Sequence, residues 1–150
     1  MAQKCAHHCS LPENSTFDTE EFRILIVDDE AAILFAYRRL IENSGYTVDA
    51  CETLAEAIDY ISTQRYFAVI TDLRLSGSET TEGLAVLACI RDHQPQAKVI
   101  VMTGYGGEEA ALALGASFYF KKPLEPSVIL EALRHLRAGV RRSNQRGSGC

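Results

Sequence analysis

No stretch of this 150-residue chain approaches the roughly 18 consecutive apolar residues of a membrane-spanning helix. The amino terminus, MAQKCAHHCS, has no apolar core of a secretory signal. A membrane anchor and export are therefore not expected, and a cytoplasmic location is. Low-complexity sequence is missing too: 47% hydrophobic and 23% charged residues are the proportions of a folded domain able to bury a proper core. An excess of positive charge is also lacking. The net charge of −5 argues against general nucleic-acid binding through a basic surface. Gly104, Gly106 and Gly107 are not followed by Gly-Lys-Ser/Thr, which argues against a P-loop.

The five cysteines do not form a disulfide or zinc pattern. Cys51 and Cys89 fall inside apolar stretches and read as small buried hydrophobes. Cys5 and Cys9 bracket His7 and His8, but structural zinc sites usually draw two ligand pairs from either side of a folded unit. Here all four residues sit within one short segment, so a metal is not expected there. Cys150 ends a polar tail and reads as a free, exposed thiol.

What is present is a regular alternation of apolar runs and helical periods. Residues 1–21 carry no sustained period, and Pro12, Asn14, Ser15 and Thr16 interrupt any element, so a flexible leader is expected. Phe22–Asp28 reads as a buried strand ending in acids, followed by Ile33, Leu34, Tyr37, Leu40 and Ile41 at helical spacing. Tyr46–Cys51 is a weaker, less buried strand, and Thr53 with Glu56 is a capping box opening a second helix. Phe67–Asp72 is a short apolar strand running into a polar loop, Ser76–Gly83, and then a helix over about 82–92. Lys98–Thr103 and Ser117–Lys121 are further strands, separated by a short helix over about 108–114. Pro126 suits the first turn of a last helix carrying Ile129, Leu133 and Leu136, expected to end near Ala138. Residues 22–138 thus form one domain, and 139–150 a flexible basic tail expected to be solvated rather than a nucleic-acid arm.

Five βα units in succession imply an α/β fold with a five-stranded parallel sheet covered on both faces, of the flavodoxin-like, doubly wound kind with order 2-1-3-4-5. In such a sheet every strand's carboxyl end lies at one edge, where open α/β folds build their sites. That edge receives Asp28 and Asp29 from the first strand, Asp72 from the third, Thr103 from the fourth and Lys122 just after the fifth. Carboxylates packed together repel one another unless a cation neutralises them, and Mg²⁺ takes one or two carboxylates together with phosphate oxygens. A hydroxyl and an ammonium beside them suit the equatorial oxygens of a phosphoryl group in transfer. Asp72 then reads as a nucleophile forming an aspartyl phosphate. Singly, an acid after a strand is more often a helix cap; it is the joint occurrence of these positions that carries the reading.

The strings LIVDDE (25–30), ITDLRL (70–75), VMTGYG (101–106) and FKKP (120–123) resemble the receiver domain of bacterial two-component response regulators, over about residues 22–138. The resemblance implies that Asp72 is the phosphoacceptor, Asp29 a direct Mg²⁺ ligand, Asp28 a ligand acting mainly through water, and the Arg74 carbonyl a further ligand. It implies that Lys122, not Lys121, is the site lysine and that Lys122–Pro123 is cis. Thr103 and Tyr119 match the family's switch pair, and Arg74 and Tyr105 match positions that tune hydrolysis. The implied partners are a sensor histidine kinase or phosphotransfer protein and a downstream protein target, with no direct nucleic-acid contact. Catalysis would be limited to the protein's own phosphorylation and dephosphorylation. Two departures stand out: Ser76 replaces a common proline in a lengthened loop before Gly83, and the span from Thr103 to Lys122 is about one helical turn short, a loss expected to fall in the fourth helix.

Alternatives are an aspartate-nucleophile phosphohydrolase, an unphosphorylated scaffold receiver and a flavin-binding flavodoxin-like protein. The first would carry Asp-x-Asp on the first strand and a cap domain. The complete set of site residues argues against the second. The acidic loop after the first strand argues against the third, because it repels a flavin phosphate.

Overall fold

The computed structural model of the protein describes residues 22–75, 81–104 and 106–147. The order of elements is β1 (Arg23–Val27), α1 (Ala31–Asn43), β2 (Thr47–Cys51), α2 (Leu54–Thr63), β3 (Ala68–Thr71), α3 (Thr81–His93), β4 (Lys98–Thr103), α4 (Glu108–Ala113), β5 (Phe118–Lys121) and α5 (Pro126–Gly147). All four strand pairings are parallel and the order is β2-β1-β3-β4-β5, as the alternation of elements requires. The leader with Cys5, His7, His8 and Cys9, the loop 76–80, Tyr105 and Cys150 lie outside the described residues.

The two-residue period of the strands divides the core in two. Ile24 and Ile26 of β1, Ile70 of β3 and Ile100 and Met102 of β4 point toward α1 and α5, meeting Leu34, Tyr37, Ile129 and Leu133. Leu25, Val27, Val69, Val99 and Val101 point the other way, onto Ala57 and Ile61 of α2, Val86, Leu87 and Ile90 of α3, and Ala111 of α4. Burial on both faces explains why β1, β3 and β4 read as continuous apolar runs, while β2 at the sheet edge does not. Cys51 is buried in the second cluster, and desolvation pushes its thiol up to about 12, so it packs as a hydrophobe.

Local chemistry sets the boundaries. Thr53 caps α2, its hydroxyl accepting from the Glu56 N–H at 3.2 Å and donating to the Glu56 carboxylate at 2.9 Å. Gly45 closes α1 with φ +95°, a conformation that side-chain-bearing residues rarely adopt. Helix α4 has only six residues, about 9 Å of helix, which is where the shortened span between Thr103 and Lys122 falls. Helix α5, in contrast, does not stop near Ala138 but continues to Gly147. Arg141, Arg142, Gln145 and Arg146 are helix-favouring residue types, and the positive charge of the arginines suits a helix C-terminus, so the polar composition does not interrupt it.

Two polar contacts tie the lower part of the sheet together. The Arg23 guanidinium holds Asp49 in a two-pronged ion pair at 2.9 and 3.2 Å, and the Tyr66 hydroxyl donates to the same carboxylate at 2.7 Å. Burial pushes the Asp49 carboxyl up, but these partners outweigh it and leave the group below its ordinary range. Beyond the end of α3, the Gln94 amide accepts from the Tyr66 N–H at 2.9 Å and donates to the carbonyls of Ile61, at 2.7 Å, and Gln64. Gln94 therefore joins α3, the end of α2 and the start of β3. Gln94→Ala strands one N–H and two carbonyls. It is expected to lower stability by about 2 kcal/mol, seen as a reduced urea midpoint at unchanged slope.

Candidate functional site

The parallel register delivers the acids to one place. Val27 lies opposite Thr71, so the next residues, Asp28 and Asp72, emerge side by side. Their backbones extend the ladder: the Asp72 N–H donates to Val27 O and the Asp28 N–H to Cys51 O, each at 3.1 Å. Each aspartate then folds the turn behind it, Asp28 Oδ1 accepting from the Glu30 N–H at 2.9 Å and Asp72 Oδ1 from the Arg74 N–H at 3.0 Å. Both carboxylates are thus fixed before any ligand arrives.

Lys122 arrives from the far side of the sheet. Its N–H donates to Thr103 O at 2.8 Å, continuing the β4–β5 pairing one step past Lys121, and the Lys122–Pro123 peptide is cis. Its Nζ lies 2.7 Å from Asp28 Oδ2 and 2.7 Å from Asp72 Oδ2, bridging the two carboxylates. Glu30 Oε1 stands 3.5 Å from the same nitrogen. Lys121, the other lysine of the motif, is exposed. Burial works against charge on Lys122, but the two carboxylates outweigh it and raise its pKa, so the ammonium stays protonated. Asp28 moves up as well, because its burial is only partly offset by Lys122 and the Glu30 N–H, and the Asp72 charge adds to it.

Asp28, Asp29, Glu30 and Asp72 can each place a carboxylate oxygen within 4.8 Å of the others. Asp28 and Asp72 are buried, whereas Asp29 and Glu30 are exposed. An all-oxygen donor set with four negative charges against one ammonium fits a hard divalent cation. Glu30 is the member of this group that sequence reasoning did not assign. It followed the acidic pair, but its approach to Lys122 depends on the turn folded by Asp28.

The raised pKa of Asp28 has a consequence for stability. A carboxyl that binds its proton more tightly in the folded state favours folding below its ordinary value of 3.8, and that contribution is lost as pH rises through the folded pKa. Asp28→Asn removes this penalty. In EDTA it is expected to raise the denaturation midpoint at neutral pH and to raise it less toward about pH 4, as chemical denaturation will show.

The remaining expected residues lie nearby. Thr103, at the end of β4, is fully buried. Tyr119, opposite Val101, is partly buried on the α4 side, where desolvation first and the Glu108 charge second push its phenol up. The neighbouring β5 aromatics, Phe118 and Phe120, stack at 5.8 Å on the opposite face. Asp72, Lys122, Glu30 and Gly104 form one end of a cleft of about 610 Å³ whose other wall is Ala32, Ile33, Ala36, Tyr37 and Leu124. The charged cluster thus opens beside an apolar trough. Such an arrangement can hold a cation, present a carboxylate oxygen to an electrophile and neutralise charge on a transferred group.

Comparison with known proteins gives the same picture. The family described as the response regulator receiver domain matches residues 24–134. The photosynthetic apparatus regulatory protein RegA of Rhodobacter capsulatus is 33% identical over 113 residues, covering 73% of this chain and 60% of that protein. The chain therefore spans about three fifths of the length of the curated relatives it matches first. A CheY-like receiver domain protein from Methanospirillum hungatei JF-1 superposes with a TM-score of 0.74 at 30% identity, covering 81% of this chain and 98% of that one. The response regulator TrrA of Thermotoga maritima, solved in complex with Mg²⁺-BeF, gives 0.66 at 30% identity, covering 77% and 98%.

Proposed function

Since the chain belongs to the response regulator receiver family, the phosphoacceptor signalling domain of two-component systems, we propose that Asp72 is its acceptor and takes a phosphoryl group from a histidine kinase or phosphotransfer protein. The observation that carries this reading is the bridging of Asp72 and Asp28 by the Lys122 ammonium, at 2.7 Å to each. It fixes a nucleophilic oxygen beside a cation held ready for the incoming charge. Asp28, Asp29 and Asp72 would hold Mg²⁺, with Glu30 at the rim and the Arg74 carbonyl as a further donor. When bound, Mg²⁺ supplies neutralising charge to the phosphoryl oxygens. Thr103 donates a hydroxyl to the same group, and the change in its position is passed to Tyr119 two strands from Asp72, a population shift read on the surface around β5. Arg74 and Tyr105, by their match to the family's positions, set how readily water reaches the phosphoryl group.

The apolar trough supports a protein as donor. Ala32, Ile33, Ala36 and Leu124 offer a surface beside Asp72 on which a helical partner can seat its own phosphorylated side chain. Receiver domains are signalling domains rather than turnover enzymes, and the chemistry proposed here is confined to Asp72 itself. Among the described residues no helix is long and apolar enough to cross a membrane, in keeping with a cytoplasmic role.

The test is incubation with acetyl phosphate and Mg²⁺, followed by intact mass spectrometry. One labile phosphoryl adduct that requires the metal and maps to Asp72 is expected. An adduct on another residue sinks the assignment, and steady turnover of many phosphate esters favours a phosphohydrolase.

A further inference from the structure

We propose that a second pocket, between the C-terminal end of α1 and the middle of α5, binds a small oxyanion of the phosphate class. This recess of about 330 Å³ is lined by Ser44, Tyr46, Arg134, Arg137, Ala138 and Arg141. It lies at the opposite edge of the sheet from Asp72: Phe22 and Tyr46 precede β1 and β2, whereas Asp28 follows β1, about 20 Å along the strand.

The recess carries donors without acceptors. The Arg137 guanidinium sits 4.4 Å over the Phe22 ring and 5.5 Å from the Tyr46 ring, which fixes its plane. Its Nε and the Tyr46 hydroxyl are both shielded from solvent and, among the described residues, both lack a hydrogen-bond partner, although Tyr46 as a residue is only 5% exposed. Buried polar groups are seldom left in that state. Arg141 is exposed at the mouth. Arg134 makes only a surface pair with Glu131, at 2.8 Å, and its side chain remains 59% exposed. The Ser44 hydroxyl is already used on Leu40 O at 3.0 Å. Among the described residues no acid lines the recess, and residues 132–150 contain five arginines and no acid.

Three guanidinium groups of α5 and a phenol from the turn before β2 line one recess, a donor set that matches an acceptor with several oxygens and more than one negative charge. Arginine meets phosphate through paired N–H donors, which a single-atom ion such as chloride cannot satisfy. The small volume, and the fact that the unpartnered donors lie at the back rather than on the helix surface, favour a compact ion or phosphate monoester over an extended acidic chain.

The measurement is an NMR titration of the full chain with inorganic phosphate in EDTA, ionic strength held constant with chloride, following the arginine Nε–H signals. A parallel titration with glycerol phosphate separates the free ion from a monoester. Saturable movement of the Arg137 Nε–H signal, with a Kd of about 1 mM or tighter for either probe, is the expected result. Tyr46→Phe keeps the ring and removes only the hydroxyl, and Arg141→Ala changes an exposed residue, so both preserve the fold. Each should weaken binding about five- to tenfold. Glu20 and Glu21 immediately precede Phe22 in the sequence, so the Glu20→Gln/Glu21→Gln chain is titrated beside the natural one. Absence of saturation in both chains, or binding unchanged by Tyr46→Phe and Arg141→Ala, overturns the proposal.

Discussion

Asp72→Asn should abolish the phosphoryl adduct while leaving the fold in place. The amide matches the carboxylate in shape, and its oxygen can still accept from the Arg74 N–H, which Asp72 Oδ1 does at 3.0 Å. What changes is the other side of the group. Asp72 Oδ2 now receives the Lys122 ammonium at 2.7 Å, and an amide nitrogen there sets donor against donor. Lys122 turns to Asp28, its second partner at the same distance, so the buried cation keeps a counter-charge and avoids the several kcal/mol that an isolated one costs. The amide is no nucleophile at neutral pH, and the oxygen cluster loses one charge. The expected results are zero adduct by intact mass, Mg²⁺ affinity lowered by at least about tenfold, and an unfolding free energy within about 2 kcal/mol of the natural protein. Retention of the adduct would place the acceptor elsewhere.

Gly83→Ala should be strongly damaging. A Cβ at this position would lie 2.3 Å from Leu73 Cα, 2.6 Å from Asp72 O and 2.8 Å from Leu73 C. All three are backbone atoms, so no side-chain rotation relieves the clash. The Gly83 N–H also donates to Leu73 O at 3.1 Å, docking the first turn of α3 directly on the segment that follows the acceptor. One added methyl must therefore push helix and loop apart at Asp72. A loss of about 3 kcal/mol or more is expected by urea denaturation. A fall in the rate of adduct formation should remain under conditions where the variant is still folded. A variant with unchanged stability and rate would show that α3 and the acceptor loop are not packed as described.

These two residues also mark what could be read from the sequence. Asp72, Asp28, Thr103 and Lys122 were legible because a parallel sheet buries its strands on both faces, so each appears as an apolar run whose polar terminus stands out. The strand order then brings those termini together. Gly83 was visible as a glycine beyond a lengthened loop, but nothing in its neighbours shows that its backbone touches Leu73, since the contact spans residues with no periodic relation. Gln94 is a similar case, its three partners lying on two other elements. Glu30 comes near Lys122 through a turn rather than through sheet register, and α5 outlasts its apolar stripe because arginine and glutamine are helix-favouring residue types. Patterns of burial are written along a chain; close backbone approaches and amide bridges between elements are not.

The brevity of α4 alters the outline that the switch end of the molecule offers to others. With fewer than two turns there, the helix contributes little relief, and Leu112 is its chief projecting apolar side chain. Beside it lie the margin strand β5 and α5, where the stacked Phe118 and Phe120 rings, Val128 and His135 form a shallow, largely aromatic shelf. A partner that distinguishes the resting from the modified form would have its footprint displaced onto this shelf, and would sense the strand carrying Tyr119 and leading to Lys122 directly rather than through an intervening helix.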